Sequence, residues 1–308
     1  MRKMGFSRTL LALALTLTLS AAAAAVRQET VWPGWVAPPP RKNKTPFAPR
    51  PFGGDNIFKG EAEKWLAEAI VRLGAGSLGR IKDERVSEYV SQLGRHLAEY
   101  STAPQTTYEF VVIDDSEANA MSTGGGHVYV NLGMLREVQS EDELAGIIAH
   151  EMGHDAFRHA PKTVTRQLFW MKGIRKVKTS ADVEKALDAL FAEYEKKPLA
   201  AFGENLLSFS RFDELEADRA AFYNSYKAGY NPHALAAVLK RMEREAKKEL
   251  GEEYGNYQFL TFLFGTHPPT SQRSAAFSWE SNFVKMPKKE ESYKSAAFEA
   301  MKARVAKL

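Results

Sequence analysis

The spacing of apolar and polar residues changes twice along the chain. From about residue 58, apolar residues recur every three or four positions and predict two amphipathic helices, at about 58–73 and 82–100. In the second, Val86, Tyr89, Val90, Leu93 and Leu97 share one face. The period then shortens to two. Residues 108–113 (YEFVVI) are β-rich and apolar, and HVYVN, from His127 to Asn131, alternates around Val128 and Val130, so both predict strands. The link between them carries Gly124-Gly125-Gly126, which permits backbone shapes that other residues resist. Beyond Leu132 helical spacing returns. It predicts helices at about 132–138, 141–159, 163–177, 181–196, 199–209, 212–228, 232–249, 271–283 and 291–306, with Gly229 and Pro232 as a stop and restart. No fixed-period repeat is present, which argues against a solenoid. The fold class that follows is α+β, mostly α.

The chain's ends read differently. Arg2, Lys3 and Arg8 precede an apolar run from Leu10 to Leu19, and small residues Ser20 to Ala25 follow, so residues 1–25 read as a secretory signal. Residues 26–57 hold seven of the fourteen prolines and read as a linker or surface-wrapping arm. The main domain is expected over 58–285, with a basic C-terminal helix over 286–308 as a solvated face or a peripheral membrane contact. Removing the first 25 residues, which hold no acid, takes the formal charge from +4 to +1. A nearly neutral body has no net pull on phosphate, so nucleic acid is not an expected partner. The chain has no cysteine, which excludes disulfides, thiolate nucleophiles and cysteine-based zinc sites.

Candidate chemistry sits in the helix expected at 141–159. Ser140-Glu141-Asp142-Glu143 has the capping-box pattern. Then comes His150-Glu151-Met152-Gly153-His154, with two histidines at i and i+4 on one helical face, able to share one zinc. Glu151 flanks that position as the general base for the attacking water. A third protein ligand is needed. Phe157 and Ala160 stand where a metzincin would have glycine and histidine, and His159, five residues past His154 on a continuous helix, would face another azimuth, as a surface or supporting group. That leaves a carboxylate from a later helix. Glu214 and Asp218 lie at i and i+4, so one can bind metal while the other hydrogen-bonds a ligand histidine; Glu216 points about 200° away from Glu214.

These pieces occur in order: Asn119-Ala120, the glycine turn, HVYVN, ELAGIIAHEMGH, the E-x-E-A-D segment from Glu214, Thr266-His267-Pro268-Pro269 and Arg273. Together they resemble the HtpX- and BepA-like zinc metallopeptidases of family 48, gluzincins related to the CAAX prenyl endopeptidases. The resemblance implies a zincin-like domain, one zinc held by His150, His154 and Glu214, and Asp218 behind the ligands. It also implies that His267 can bind the zinc and hold the enzyme latent. Ser122-Thr123 stand where the family often has proline, which bears on the loop shape. HVYVN is expected to be the edge strand to which a peptide adds, with His267 donating to the oxyanion. Arg273 is expected in an ion pair and His127 as an ordinary strand residue. The function that follows is a metalloendopeptidase for unfolded or misassembled envelope proteins, outer-membrane proteins among them, exported to a bacterial periplasm. The alternative is a chaperone or assembly factor with a metal-shaped groove and latent peptidase activity.

Overall fold

The computed structural model describes residues 35–41, 56–73, 79–104, 106–194, 209–250, 271–284 and 292–308. The signal segment, most of the proline-rich arm, all but the end of the helix expected at 199–209, and His267 lie outside these residues. In chain order the helices are α1 (Glu61–Leu73), α2 (Glu84–Glu99), α3 (Leu132–Glu137), α4 (Glu141–Ala156), α5 (His159–Lys172), α6 (Ser180–Tyr194), α7 (Arg211–Lys227), α8 (Ala234–Leu250), α9 (Ser271–Glu280) and α10 (Ala296–Val305). The strands are β1 (Glu109–Ile113), β2 (Ala120–Gly124) and β3 (His127–Asn131), all between α2 and α3. The α+β, mostly α expectation holds.

The sheet order is β1-β3-β2. HVYVN is therefore the central strand, parallel to β1 and antiparallel to β2, rather than the edge expected for it. The edge strand ahead of the HExxH helix is β2, whose sequence AMSTG lacks the branched alternation that marks a strand. β1 is bridged on its outer side, where Ile81 N–H donates to Val112 O at 3.0 Å and Asp114 N–H to Gly79 O at 2.8 Å. β2 turns back into β3 through Gly124, Gly125 and Gly126, with φ of 85°, 64° and 89°. A side chain at Gly126 would place its Cβ 2.2 Å from Thr107 O, so glycine is required there on two counts.

The main core lies between the sheet and helices α2, α4, α7 and α8, and α10 adds Ala297, Phe298, Met301 and Val305 to it. α1, α5 and α6 share a second, smaller core around Leu66, Leu168 and Leu187. α4 runs through the middle, buried on nearly every side. Ser140 caps it by accepting from Glu143 N–H, but the reciprocal half of the expected capping box is absent. The Glu143 carboxylate accepts from Gln139 N–H and from Arg241 instead. The complete box occurs at the start of α7, between Ser210 and Asp213.

Candidate active site

Two glycines let other helices close on α4. A Cβ at Gly153 would lie 3.0 Å from both Ala217 Cα and Ala220 Cβ, so α7 crosses in near backbone contact inside the HExxH segment. A Cβ at Gly146 would meet Leu235 Cβ at 3.1 Å, which seats α8. Small residues at a helix crossing remove the side-chain layer that otherwise separates the axes. Here that brings the first turns of α7 against the histidines of α4.

The atoms then converge. His150 Nε2 and His154 Nε2 stand 3.0 Å apart. Glu214 places Oε2 3.6 Å from the first and Oε1 3.5 Å from the second. All three residues are buried, and their donor atoms lie within 4.8 Å of one another. Behind them, Asp218 Oδ1 lies 3.0 Å from His150 Nδ1. Arg273, from α9, donates through Nε and Nη2 to Asp218 at 2.6 Å each, and its Nη1 stands 3.2 Å from Glu214 Oε2. Arg273 is thus in the ion pair expected for it. A small cleft opens beside these groups, lined by Asn119 and Ala120 at the start of β2, His150, Glu151, Arg273 and apolar residues of α8.

The electrostatics are those of a buried, mutually compensated set. Burial alone would lower the His150 imidazole, but hydrogen bonds to Asp218 and Glu214 outweigh it and push His150 up to about 9. Burial would raise Asp218, yet the Arg273 charge and hydrogen bonds hold it below the ordinary aspartate range. Arg273 is held above its ordinary value because the attraction of Asp218 and Glu214 exceeds its own burial penalty.

Two features differ from the sequence reading. α4 ends at Ala156, Arg158 adopts a left-handed conformation (φ 56°), and His159 begins α5. The azimuth expected for His159 on a continuous helix therefore does not apply. It is fully buried, with Nδ1 2.8 Å from His154 Nδ1 and Nε2 3.2 Å from Glu216 Oε2. Glu216 does point away from the histidine pair, and its target is His159. The second feature is Asp155, which accepts from Gly126 N–H at 2.8 Å and ties the end of α4 to the β2–β3 turn. Burial pushes its carboxyl up to about 6. Pro161, which has no N–H to give the Phe157 carbonyl in a continuous helix, is the sequence signal for the break at Phe157-Arg158, whereas the Asp155 contact carried none. His127 lies in β3, with Nδ1 3.3 Å from Glu109.

A buried HExxH helix, crossed by a second helix bearing a carboxylate and flanked by a sheet edge, defines the metallopeptidase class. The chain belongs to peptidase family M48, whose model matches residues 84–280, and that family carries a metal cofactor. It is 26% identical to the "Beta-barrel assembly-enhancing protease" of Escherichia coli (strain K12) over 191 residues, 60% of this chain and 38% of that protein. The "Mitochondrial metalloendopeptidase OMA1" of Arabidopsis thaliana is 28% identical, covering 54% of this chain and 30% of its own length. The "Metalloprotease YcaL" of Escherichia coli (strain K12) is 24% identical, covering 68% and 77%. The chain thus spans well under half the length of the first two relatives. Among the described residues, no helix is long and apolar enough to cross a membrane.

Proposed function

We propose that this chain is a zinc-dependent endopeptidase in which His150, His154 and Glu214 hold one zinc and Glu151 is the general base. The observation that carries the reading is the convergence of three buried residues: the Nε2 atoms of His150 and His154 stand 3.0 Å apart, and the two carboxylate oxygens of Glu214 lie 3.6 Å from the first and 3.5 Å from the second. Ligands at about 2.0–2.1 Å in a tetrahedral site stand roughly 3.3–3.4 Å apart. The donor set therefore fits a zinc, and two imidazoles with one carboxylate suit its chemistry. When bound, the zinc supplies Lewis-acid polarisation of the scissile carbonyl and acidifies a water.

The chain's own groups do the rest. Glu151, buried beside His150 on the cleft wall, accepts the proton of the attacking water and passes it to the leaving amine. Asp218 holds His150 by its Nδ1, and Arg273 holds Asp218. The β2 edge at Asn119 and Ala120 is where an extended peptide adds a strand. His267 is the proposed oxyanion donor, and the group that occupies the metal in a latent state. The substrates we propose are unfolded or misassembled envelope proteins in a bacterial periplasm. The N-terminal export pattern and the name of the assembly-enhancing relatives support that assignment.

The test is paired zinc analysis and cleavage of an unfolded casein-type substrate by wild type and Glu151→Gln. One zinc per chain is expected in both, with cleavage about 10²–10⁴-fold slower in the variant. Undiminished cleavage in the variant, or no zinc in wild type, would overturn the reading. Protection of unfolded clients that persists in a proteolytically dead variant would add an assembly role.

A further inference from the structure

Among the described residues no carboxylate lies on His154 Nδ1, whereas His150 has Asp218. What it has is another imidazole. His159 places Nδ1 2.8 Å from His154 Nδ1, while its Nε2 lies 3.2 Å from Glu216 Oε2 and 3.7 Å from Asp213 Oδ1. His154, His159 and Asp213 are buried, and the Glu216 side chain is 10% exposed. The His154 ring is also fixed from both sides, with Phe209 stacked at 4.1 Å between centroids and His159 edge-on at 4.8 Å.

Proton counting gives this chain a direction. An ionised carboxylate only accepts, so His159 Nε2 facing Glu216 must carry hydrogen. A neutral imidazole has one N–H, which leaves His159 Nδ1 as an acceptor. His154 Nδ1 must then donate to it, and His154 Nε2 is left with a lone pair. That Nε2 is the atom facing His150 and Glu214. In the opposite register, His159 Nδ1–H would drive the His154 proton onto Nε2 and remove a donor from the triad.

We propose that Glu216, His159 and His154 form a hydrogen-bonded relay that fixes the tautomer of His154 for metal binding, with His159 as its positioning residue. The proposal rests on the reading of His154 as a ligand. The two histidines of the HExxH helix are thus set by different devices: Asp218 acts directly, and Glu216 acts through an intervening ring. His159 contributes through metal affinity and ligand orientation, not through contact with substrate.

The test uses the full chain and three readouts besides activity. Zinc affinity is measured by competition with a chromophoric chelator, and the visible spectrum of the cobalt(II)-loaded protein is recorded. Tautomers of the zinc-loaded wild type are read from ¹⁵N-histidine long-range NMR. His159→Ala and Glu216→Ala are expected to weaken zinc binding about 10–100-fold and to shift the cobalt bands. His159→Asn, whose amide oxygen can accept from His154 Nδ1–H, should recover much of the affinity. The NMR pattern expected for His159 is Nε2–H with a bare Nδ1, a readout that stands even where a variant fails to fold. Wild-type affinity and an unchanged cobalt spectrum in His159→Ala would overturn the relay and leave the zinc site standing. So would an Nδ1–H tautomer at His159, or a second metal equivalent lost with His159, since the latter makes His159, Asp213 and Glu216 a site of their own. A wild type that binds no metal overturns the zinc reading itself, and the relay with it.

Discussion

The first turns of α4 and α7 look alike in sequence. Each follows a capping serine, Ser140 or Ser210, and each carries acids in its first turn, Glu141, Asp142 and Glu143 on α4 and Asp213 and Glu214 on α7. Their carboxylates end up in different chemistry. Glu141 accepts from Trp35 Nε1 at 3.1 Å, Tyr89 Oη at 2.9 Å, Tyr230 Oη at 3.0 Å and Ser295 Oγ. Asp142 accepts from the N–H groups of Asn231 and Tyr293, and Glu143 takes both Arg241 Nη atoms. These partners come from the segment around Trp35, from α2, from the link between α7 and α8, from α8 and from the approach to α10, so the α4 acids bind distant parts of the chain together. On α7, Glu214, Glu216 and Asp218 face imidazoles instead. An acid-rich helix start is thus a scaffold when hydroxyls and amides surround it, and a site when nitrogens with lone pairs do.

Exchanging the roles should separate them most widely. Glu214→Ala is expected to abolish stoichiometric zinc and cleavage, and to lower the stability of the metal-free protein less than a change at Glu141 does, because Arg273 keeps its two hydrogen bonds to Asp218. Glu141→Leu should do the reverse. It leaves several buried donors without an acceptor, each costing about 1–3 kcal/mol, so a loss of about 3–5 kcal/mol is expected in urea unfolding, with zinc still bound by the folded fraction. Loss of zinc in folded Glu141→Leu would show that the two helix starts are not separable.

The next effect is a helix crossing. In Gly153→Ala the new methyl meets Ala217 and Ala220 at 3.0 Å, and α7 must give way by a few tenths of an ångström. Overpacking of this kind costs about 1–3 kcal/mol. Because α7 carries Glu214, zinc affinity should fall as well. An equal insertion at Gly146, against Leu235 on α8, should lower stability without that loss of affinity. Calorimetry and chelator competition on both variants check the contrast.

How far this was legible follows from which residues one periodic element connects. His150, Glu151 and His154 share one helix, so spacing alone set their geometry. Glu214 and Asp218 share another and were legible as a pair. What joins the two helices, the approach permitted at Gly153, is tertiary and left no local trace. His159 was misplaced because azimuth arithmetic assumes an unbroken helix, and the left-handed Arg158 resets it. β2 was missed because its small residues are buried under α4 without a period-two pattern, and that displaced the edge from β2 to HVYVN. The capping box was expected at Ser140 and stands complete at Ser210, because Arg241 captures the Glu143 carboxylate.

A pH series sharpens the scaffold side. Burial raises the Glu141 carboxyl above its ordinary value despite hydrogen bonds from Ser295, Tyr89, Tyr230 and Trp35. The folded state therefore binds the proton more tightly than the unfolded chain, and the resulting stabilisation is full below the ordinary glutamate pKa of about 4.3 and is lost as pH rises through the folded value. Glu141→Gln has no such proton. The stability gap between wild type and Glu141→Gln should widen as pH falls from neutrality, then level off. A gap that narrows on acidification would mean that the four donors hold Glu141 charged against its burial.

The smallest effect is expected at a third helix start. Asp83 caps α2, accepting from Arg85 N–H at 3.0 Å and Val86 N–H at 3.1 Å, and pairs with Arg304 of α10 at 2.8 Å. It sits near the surface, with water within reach to replace either partner. Although partial burial opposes it, Arg304 and the two N–H groups hold its carboxyl below the ordinary aspartate range. The sign is opposite to that of Glu141: this stabilisation is present above the ordinary aspartate pKa of about 3.9 and is lost as pH falls through the folded value. Asp83→Ala should cost about 1 kcal/mol, the usual worth of such a cap, and Arg304→Gln less, since an exposed pair contributes about 0–1 kcal/mol. Neither should change zinc affinity. A loss from Asp83→Ala as large as that from Glu141→Leu would show that the contact between α2 and α10, and not the depth of the acid, decides what a helix-start carboxylate is worth in this fold.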